Sequence, residues 1–318
     1  MNEYRPIRMH PCYKECLWGG KKLKSEFGKT DAPDSIAESW ELADLPSGYS
    51  VTEDGFSVSQ LAEENRIRMW GTKLKEKEFP ILVKLIDAEK ELSVQVHPSD
   101  DTAIAALGEH GKAEMWYIVD CNPHAFLYYG FSKKIDREEF IRRAKDGTIC
   151  DVLNKVYVHK GDVFYILPGT IHSIGEGILI AEIQQSSNTT FRVYDFGRRD
   201  ANGNLRELHL ERAAEVVDFT PVLPEQCRSN NRFQTEAFSI SEMFACRYFA
   251  AYCIDIKSEI PMICDGTSFH HLLCVEGSGR IVLENECYPI SRGEGYFLPA
   301  NMGAYKIQGA CRLLLSKR

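Results

Sequence analysis

One twelve-residue pattern occurs twice in the chain, and it restricts the fold more than any other feature. Residues 161–172 read Gly-Asp-Val-Phe-Tyr-Ile-Leu-Pro-Gly-Thr-Ile-His, and residues 292–303 read Arg-Gly-Glu-Gly-Tyr-Phe-Leu-Pro-Ala-Asn-Met-Gly. Each copy holds a turn glycine, an acidic residue, an aromatic-rich strand ending in Leu-Pro, and a turn of small residues. Recurrence of one supersecondary unit implies two copies of one architecture, and 318 residues are enough for two domains with sizeable cores. The polar stretch 224–234 (PEQCRSNNRFQ) is the expected boundary, giving an N-terminal unit over 1–232 and a C-terminal unit over 233–318. The second copy has no histidine after its Leu-Pro turn, where Tyr305 stands nearby instead. One working unit and one structural unit are therefore expected.

The rest of the pattern says what kind of unit this is. Short runs rich in Val, Ile, Tyr and Phe alternate with Gly, Pro, Asn and Asp, as in FPILVKLID, ELSVQVHP, AEMWYIVD, AFLYYGF, GDVFYILP, ILIAEIQQ and TFRVYDF. Helical periodicity is confined to 61–70, 101–108, 136–145 and 207–217. The prediction is a mainly β protein, two jelly-roll or barrel domains with a few helical insertions.

Composition narrows the function. A net charge of −8 argues against a nucleic-acid partner, which would need a basic face. A small anionic substrate is compatible, provided a few placed Lys and Arg residues meet it. No run approaches the roughly 20 apolar residues of a membrane span, and the N-terminus lacks the apolar core of a secretory signal. The expected location is the cytoplasm. The 11 cysteines include no CxxC pair, so they read as reduced thiols and not as a thiolate metal site.

Polar residues on three strands carry the chemistry. Strand alternation puts Ser93, Gln95 and His97 on one face, opposite Leu92, Val94 and Val96. It also puts Lys112 beside Glu114, with Met115 and Tyr117 opposite. A carboxylate entering an apolar strand must be paired or bound to a metal. His172 ends the first copy of the repeat. Two imidazoles and a carboxylate, with Gln95 as a fourth donor, suit catalytic zinc or non-haem iron. A lone strand histidine is most often an ordinary core or surface residue, and it is the convergence of three donors that singles these out. Thr190, Arg192 and Tyr194 share a face, and Arg192 there could bind phosphate, stabilise an oxyanion, or pair with Asp195. His270 and His271 are adjacent and face opposite ways on a strand, which makes them structural.

Taken in order, six motifs resemble the class I mannose-6-phosphate isomerases of the cupin superfamily, in their short bacterial form. They are Trp18-Gly19-Gly20, Glu38-Ser39-Trp40-Glu41, Gln95-Val96-His97-Pro98, Lys112 to Tyr117, Gly169-Thr170-Ile171-His172, and Gln184 to Asp195. The resemblance implies two cupin domains, one zinc ion per chain, and interconversion of mannose 6-phosphate and fructose 6-phosphate through an enediol. It places the metal ligands on His97, Glu114 and His172, with Gln95 as a further ligand. It makes Arg192 and Lys112 the catalytic candidates. Lys84, on the FPILVKLID strand, and Ser93 are read from their own strands as substrate-binding candidates. Relatives often carry Asp four residues before the arginine, where this chain has Asn188, so no role of that carboxylate transfers. The helical domain of longer members has no room here. The expected partner is a small sugar phosphate, with no nucleic acid or membrane, and a homodimer is compatible with the sequence. Two rival readings share the constellation: an iron-dependent cupin dioxygenase, and a sugar-binding or regulatory cupin without catalysis.

Overall fold

The computed structural model describes residues 4–74, 77–107, 110–223 and 232–318. Most of the expected domain boundary, 224–231, lies outside them, as does Gly108 at the end of an expected helix. The N-terminal half packs a six-stranded sheet against a five-stranded one. The six-stranded sheet runs Val163–Ile166, Glu114–Cys121, Ile178–Gln185, Ile81–Ala88, Glu38–Leu42, Cys12–Lys14. The five-stranded sheet runs Leu153–Tyr157, Phe126–Phe131, His172–Ile174, Val94–Val96, Phe191–Tyr194. Trp116, Ile118, Leu127, Tyr129, Phe164 and Ile180 fill the space between them.

Burial explains why two strands read as continuous apolar runs. All of Ile81–Ala88 and Ile178–Gln185 is buried, because the six-stranded sheet is covered on both faces. On its outer face Val83, Leu85, Met115 and Tyr117 meet Phe249, Phe269, Leu273, Phe297 and Leu314 of the C-terminal half. The five-stranded sheet is backed instead by the helices Arg137–Asp146 and Leu210–Val216, through Phe140, Ala144, Ala213 and Ala214. The first of these starts where Asp136 accepts the Glu139 amide and ends at left-handed Gly147.

The C-terminal half is a second barrel, with the long strands His270–Leu283 and Gly303–Lys317 at its centre. The three-residue strand Ile7–Met9 joins this sheet beside Gly295–Leu298, with Ile7 opposite Phe297. The chain is thus mainly β, two cupin barrels with few helices. The repeat survives in three dimensions: Val163–Ile166 pairs with Glu114–Cys121, and Gly295–Leu298 pairs with His270–Leu283.

One expected helix, 61–70, is instead two short ones. Ser57 and Gln60 form a capping box on Val58–Leu61, and the Asn65 side chain starts a new helix at Arg66–Trp70. Asn65 satisfies the Arg68 amide from outside the helix, which breaks the register between them.

Because the two barrels share one core, its removal is expected to unfold both together. The Phe79 ring lies tilted to Phe269 at 5.1 Å and edge-on to Phe297 at 6.2 Å, ring centre to ring centre. Phe79→Ala is expected to cost about 3–5 kcal/mol in a single denaturant transition. Two separated transitions would show that the barrels are independent.

Candidate active site

The site lies where the two N-terminal sheets open at one end. In the five-stranded sheet, Gln95 stands opposite both His172 and Arg192, so all three share one level. His97 follows the end of its strand, and its carbonyl accepts the amide of Gly169 at 2.9 Å. Gly169 has φ of 87°, a left-handed value that favours glycine in the turn leading to His172. The facing sheet supplies Glu114, at the start of its strand and opposite Gln184.

Geometry and charge favour a bound cation. His97 Nε2 lies 3.5 Å from Glu114 Oε2, and His172 Nε2 lies 3.3 Å from Glu114 Oε1. The three ligand atoms fall within 4.8 Å of one another, the single such grouping among the described residues. Each histidine turns its Nδ1 to a backbone carbonyl, Thr189 at 3.0 Å for His97 and Thr170 at 2.8 Å for His172. That contact fixes Nδ1 as the protonated nitrogen and leaves the Nε2 lone pairs facing the carboxylate. Oε1 of fully buried Glu114 receives no hydrogen bond. Gln95 Nε2 stands 3.4 Å from His172 Nε2; with the amide turned over, Oε1, the atom able to bind a metal, would face the same centre.

The protonation states agree. Burial and the Lys112 charge push His97 down to about 3, and burial lowers His172, so both imidazoles are neutral donors near pH 7. Burial opposes ionisation of Glu114, but the Lys112 ammonium outweighs it and holds its carboxyl well below the usual range. Lys112 Nζ is 2.9 Å from Glu114 Oε2 and 3.2 Å from His97 Nε2. Two acceptor nitrogens and an acceptor carboxylate, all buried and all converging, fit a divalent metal.

A cavity of about 470 Å³ adjoins this centre. Ser93, Gln95, Lys112, Lys84 and Arg192 all line it, together with Asn188. Sequence reasoning passed over Lys14, Glu38, Glu182 and Arg206, which line it too. Glu182 could have been found by the logic applied to Glu114, since it too is an acid inside an apolar strand. It accepts the Trp116 indole N–H at 2.9 Å, and burial and the Glu114 charge raise its carboxyl. Lys84 is held by both Glu38 and Glu182 at 3.3 Å, and these carboxylates keep it charged against the effect of burial.

Arg192 does not pair with Asp195. Asp195 is bound instead by Arg198 at 2.6 Å and by Arg206 at 2.6 and 2.7 Å. Arg192 donates to the Glu207 carbonyl at 2.9 Å, while its Nε is buried without a partner. Burial and the neighbouring Arg206 depress its pKa, which shows two like charges gathered at one cavity wall.

Among the described residues, the second barrel has no equivalent. His270 Nδ1 meets the Tyr305 hydroxyl at 2.9 Å in its interior, and His271 points away toward Ser316.

Known proteins share both the fold and its full extent. The catalytic-domain family of type I phosphomannose isomerases matches residues 7–124, and the mannose-6-phosphate isomerase cupin domain matches residues 239–318. Mannose-6-phosphate isomerase ManA of Bacillus subtilis is 36% identical, with 98% of each chain covered. A mannose-6-phosphate isomerase of Streptococcus mutans is 33% identical, again with 98% of each covered. The crystal structure of the mannose 6-phosphate isomerase from Bacillus subtilis superposes with a TM-score of 0.91 at 33% identity, over 98% of this chain and 99% of that one. With both domains matched in order and the alignment running nearly end to end, this chain belongs to the type I phosphomannose isomerase family.

Proposed function

We propose that the chain is a zinc-dependent aldose–ketose isomerase that interconverts mannose 6-phosphate and fructose 6-phosphate in the cytoplasm. The observation that carries this reading is the triad of buried, mutually facing acceptors at the end of a cation-lined cavity. His97, Glu114 and His172 would hold one ion, with Gln95 as a further donor. When bound, zinc supplies a Lewis acid for the sugar carbonyl. The remaining work falls to side chains.

Isomerisation moves one proton between C1 and C2 while the carbonyl passes between O1 and O2. We assign this proton to Lys112, whose Nζ stands at the junction of the ligands and the cavity; as the free amine it would take the proton from one carbon and return it to the other. Arg192 contributes a fixed positive charge toward the oxygens where negative charge develops. Ser93, buried on the cavity wall, is a hydrogen-bonding partner for the sugar.

Charge inventory supports one placement of the phosphate. Lys84 lines the wall but is already matched by two carboxylates, so it offers a phosphate less than the arginines do. Arg206 lines the cavity and is oriented by its two bonds to Asp195, a single carboxylate that it shares with Arg198. Arg206 is therefore the phosphate-facing residue in this reading. Arg206→Ala is expected to raise KM for the sugar phosphate about tenfold or more, with kcat little changed. A fall in kcat at constant KM would remove Arg206 from binding.

The activity is tested by a coupled assay with zinc-loaded protein and mannose 6-phosphate, reading fructose 6-phosphate. Absence of turnover with zinc fully bound would favour a sugar-binding cupin, and oxygen consumption by an iron form would favour a dioxygenase.

A further inference from the structure

The chain between His97 and Glu114 makes an excursion away from the sheets, and one carboxylate closes it. Asp100 opens the helix Asp100–Leu107. Its Oδ1 accepts the Gly111 amide at 2.9 Å and Gln185 Nε2 at 3.0 Å. Gln185 Oε1 in turn accepts the amide of Ala113, one residue before Glu114, at 2.8 Å. The Lys112 amide donates to the carbonyl of Pro98, one residue after His97, at 3.0 Å. A single oxygen thus ties Asp100, three residues after His97, to Gly111 directly and to Ala113 through Gln185, beside the backbone bond from Lys112 to Pro98.

The other oxygen is held from the second barrel. Tyr248 donates its hydroxyl to Asp100 Oδ2 at 2.6 Å, and Arg247 Nη2 approaches at 3.2 Å. Both come from the turn between the strands Phe238–Ala245 and Ala250–Ile256. That turn is seated: Phe244 stacks on Tyr165 of the first barrel with ring centres 3.6 Å apart. Arg247 is 69% exposed, so its ion pair contributes little. The phenol-to-carboxylate bond is short and charge-assisted, and it is the stronger contact.

We propose that Asp100 is a positioning residue, and that the C-terminal barrel uses Tyr248 to hold the Lys112–Glu114 segment in its reactive placement. This rests on reading the triad as a catalytic metal site. It gives the barrel without metal ligands a task in catalysis: fixing both oxygens of Asp100 stops the carboxylate from rotating, and so keeps Glu114 in register with His97.

The test is Tyr248→Phe in the full-length chain, which removes one hydroxyl and keeps the ring packing. The expected result is a roughly five- to tenfold loss of kcat with KM nearly unchanged, and a similar weakening of zinc affinity measured against a chromophoric chelator. Asp100→Asn combined with Tyr248→Phe is expected to be no worse than Asp100→Asn, because both break one linkage. A merely structural contact would lower the unfolding midpoint and leave kcat and zinc affinity at wild-type values, and that result would overturn the proposal. Fully additive effects of the two substitutions would overturn it too. A wild-type chain that binds zinc but shows no isomerase activity would defeat the isomerase reading instead, and the zinc-affinity comparison would still decide the role of Tyr248.

Discussion

Glu114→Gln is expected to cost more than ~100-fold in metal affinity, since loss of an outer partner to a ligand already costs about 10–100-fold. The substitution preserves shape and removes the negative charge of the donor set. With neutral imidazoles at His97 and His172, that charge is the site's main attraction for a dication. It also leaves the Lys112 ammonium, 2.9 Å away, facing an uncharged amide, so a local positive charge would then repel the ion. Turnover should be lost with the metal. Metal analysis after gel filtration, alongside circular dichroism, checks this. Full metal retention by a folded Glu114→Gln protein would show that Glu114 is not a ligand.

Lys112→Met is expected to separate chemistry from metal binding. The lysine is 4% exposed and places a positive charge against the same donors that would hold the ion. Its removal should therefore leave metal affinity intact or increase it. If Lys112 moves the C1–C2 proton, kcat should fall about 10²–10⁴-fold with a small change in KM. A raised KM at near-normal kcat would make Lys112 a substrate-binding residue, and loss of metal would make it a structural partner of Glu114.

Much of this was legible in the sequence because burial leaves marks on residue choice. Lys112 and Glu114 stand out since charges in an apolar strand demand partners, and here they find each other and the histidines. The Leu-Pro turn signals the strand end that presents His172, and the same turn without histidine marks the second barrel. The pairing of Ile7–Met9 with the C-terminal sheet was not legible. Three residues carry too little alternation, and the partner strand lies almost 300 residues away. Arg206 and Asp100 were missed for a related reason. Each is an ordinary surface-type residue whose role depends on where a loop or a distant turn places its partner, Asp195 for one and Tyr248 for the other. Alternation reports which face a side chain takes, and it says nothing about contacts made across two barrels. Arg192 shows the same limit: local spacing offered Asp195 as its ion-pair partner, and tertiary packing gave Asp195 to two other arginines.

The most direct measurement is anomalous diffraction from crystals of the full chain grown with zinc. The account predicts one peak per chain, with His97 Nε2, a Glu114 oxygen and His172 Nε2 at about 2.0–2.2 Å from it. A peak bound elsewhere, or no peak in protein that turns over the sugar phosphate, would contradict it.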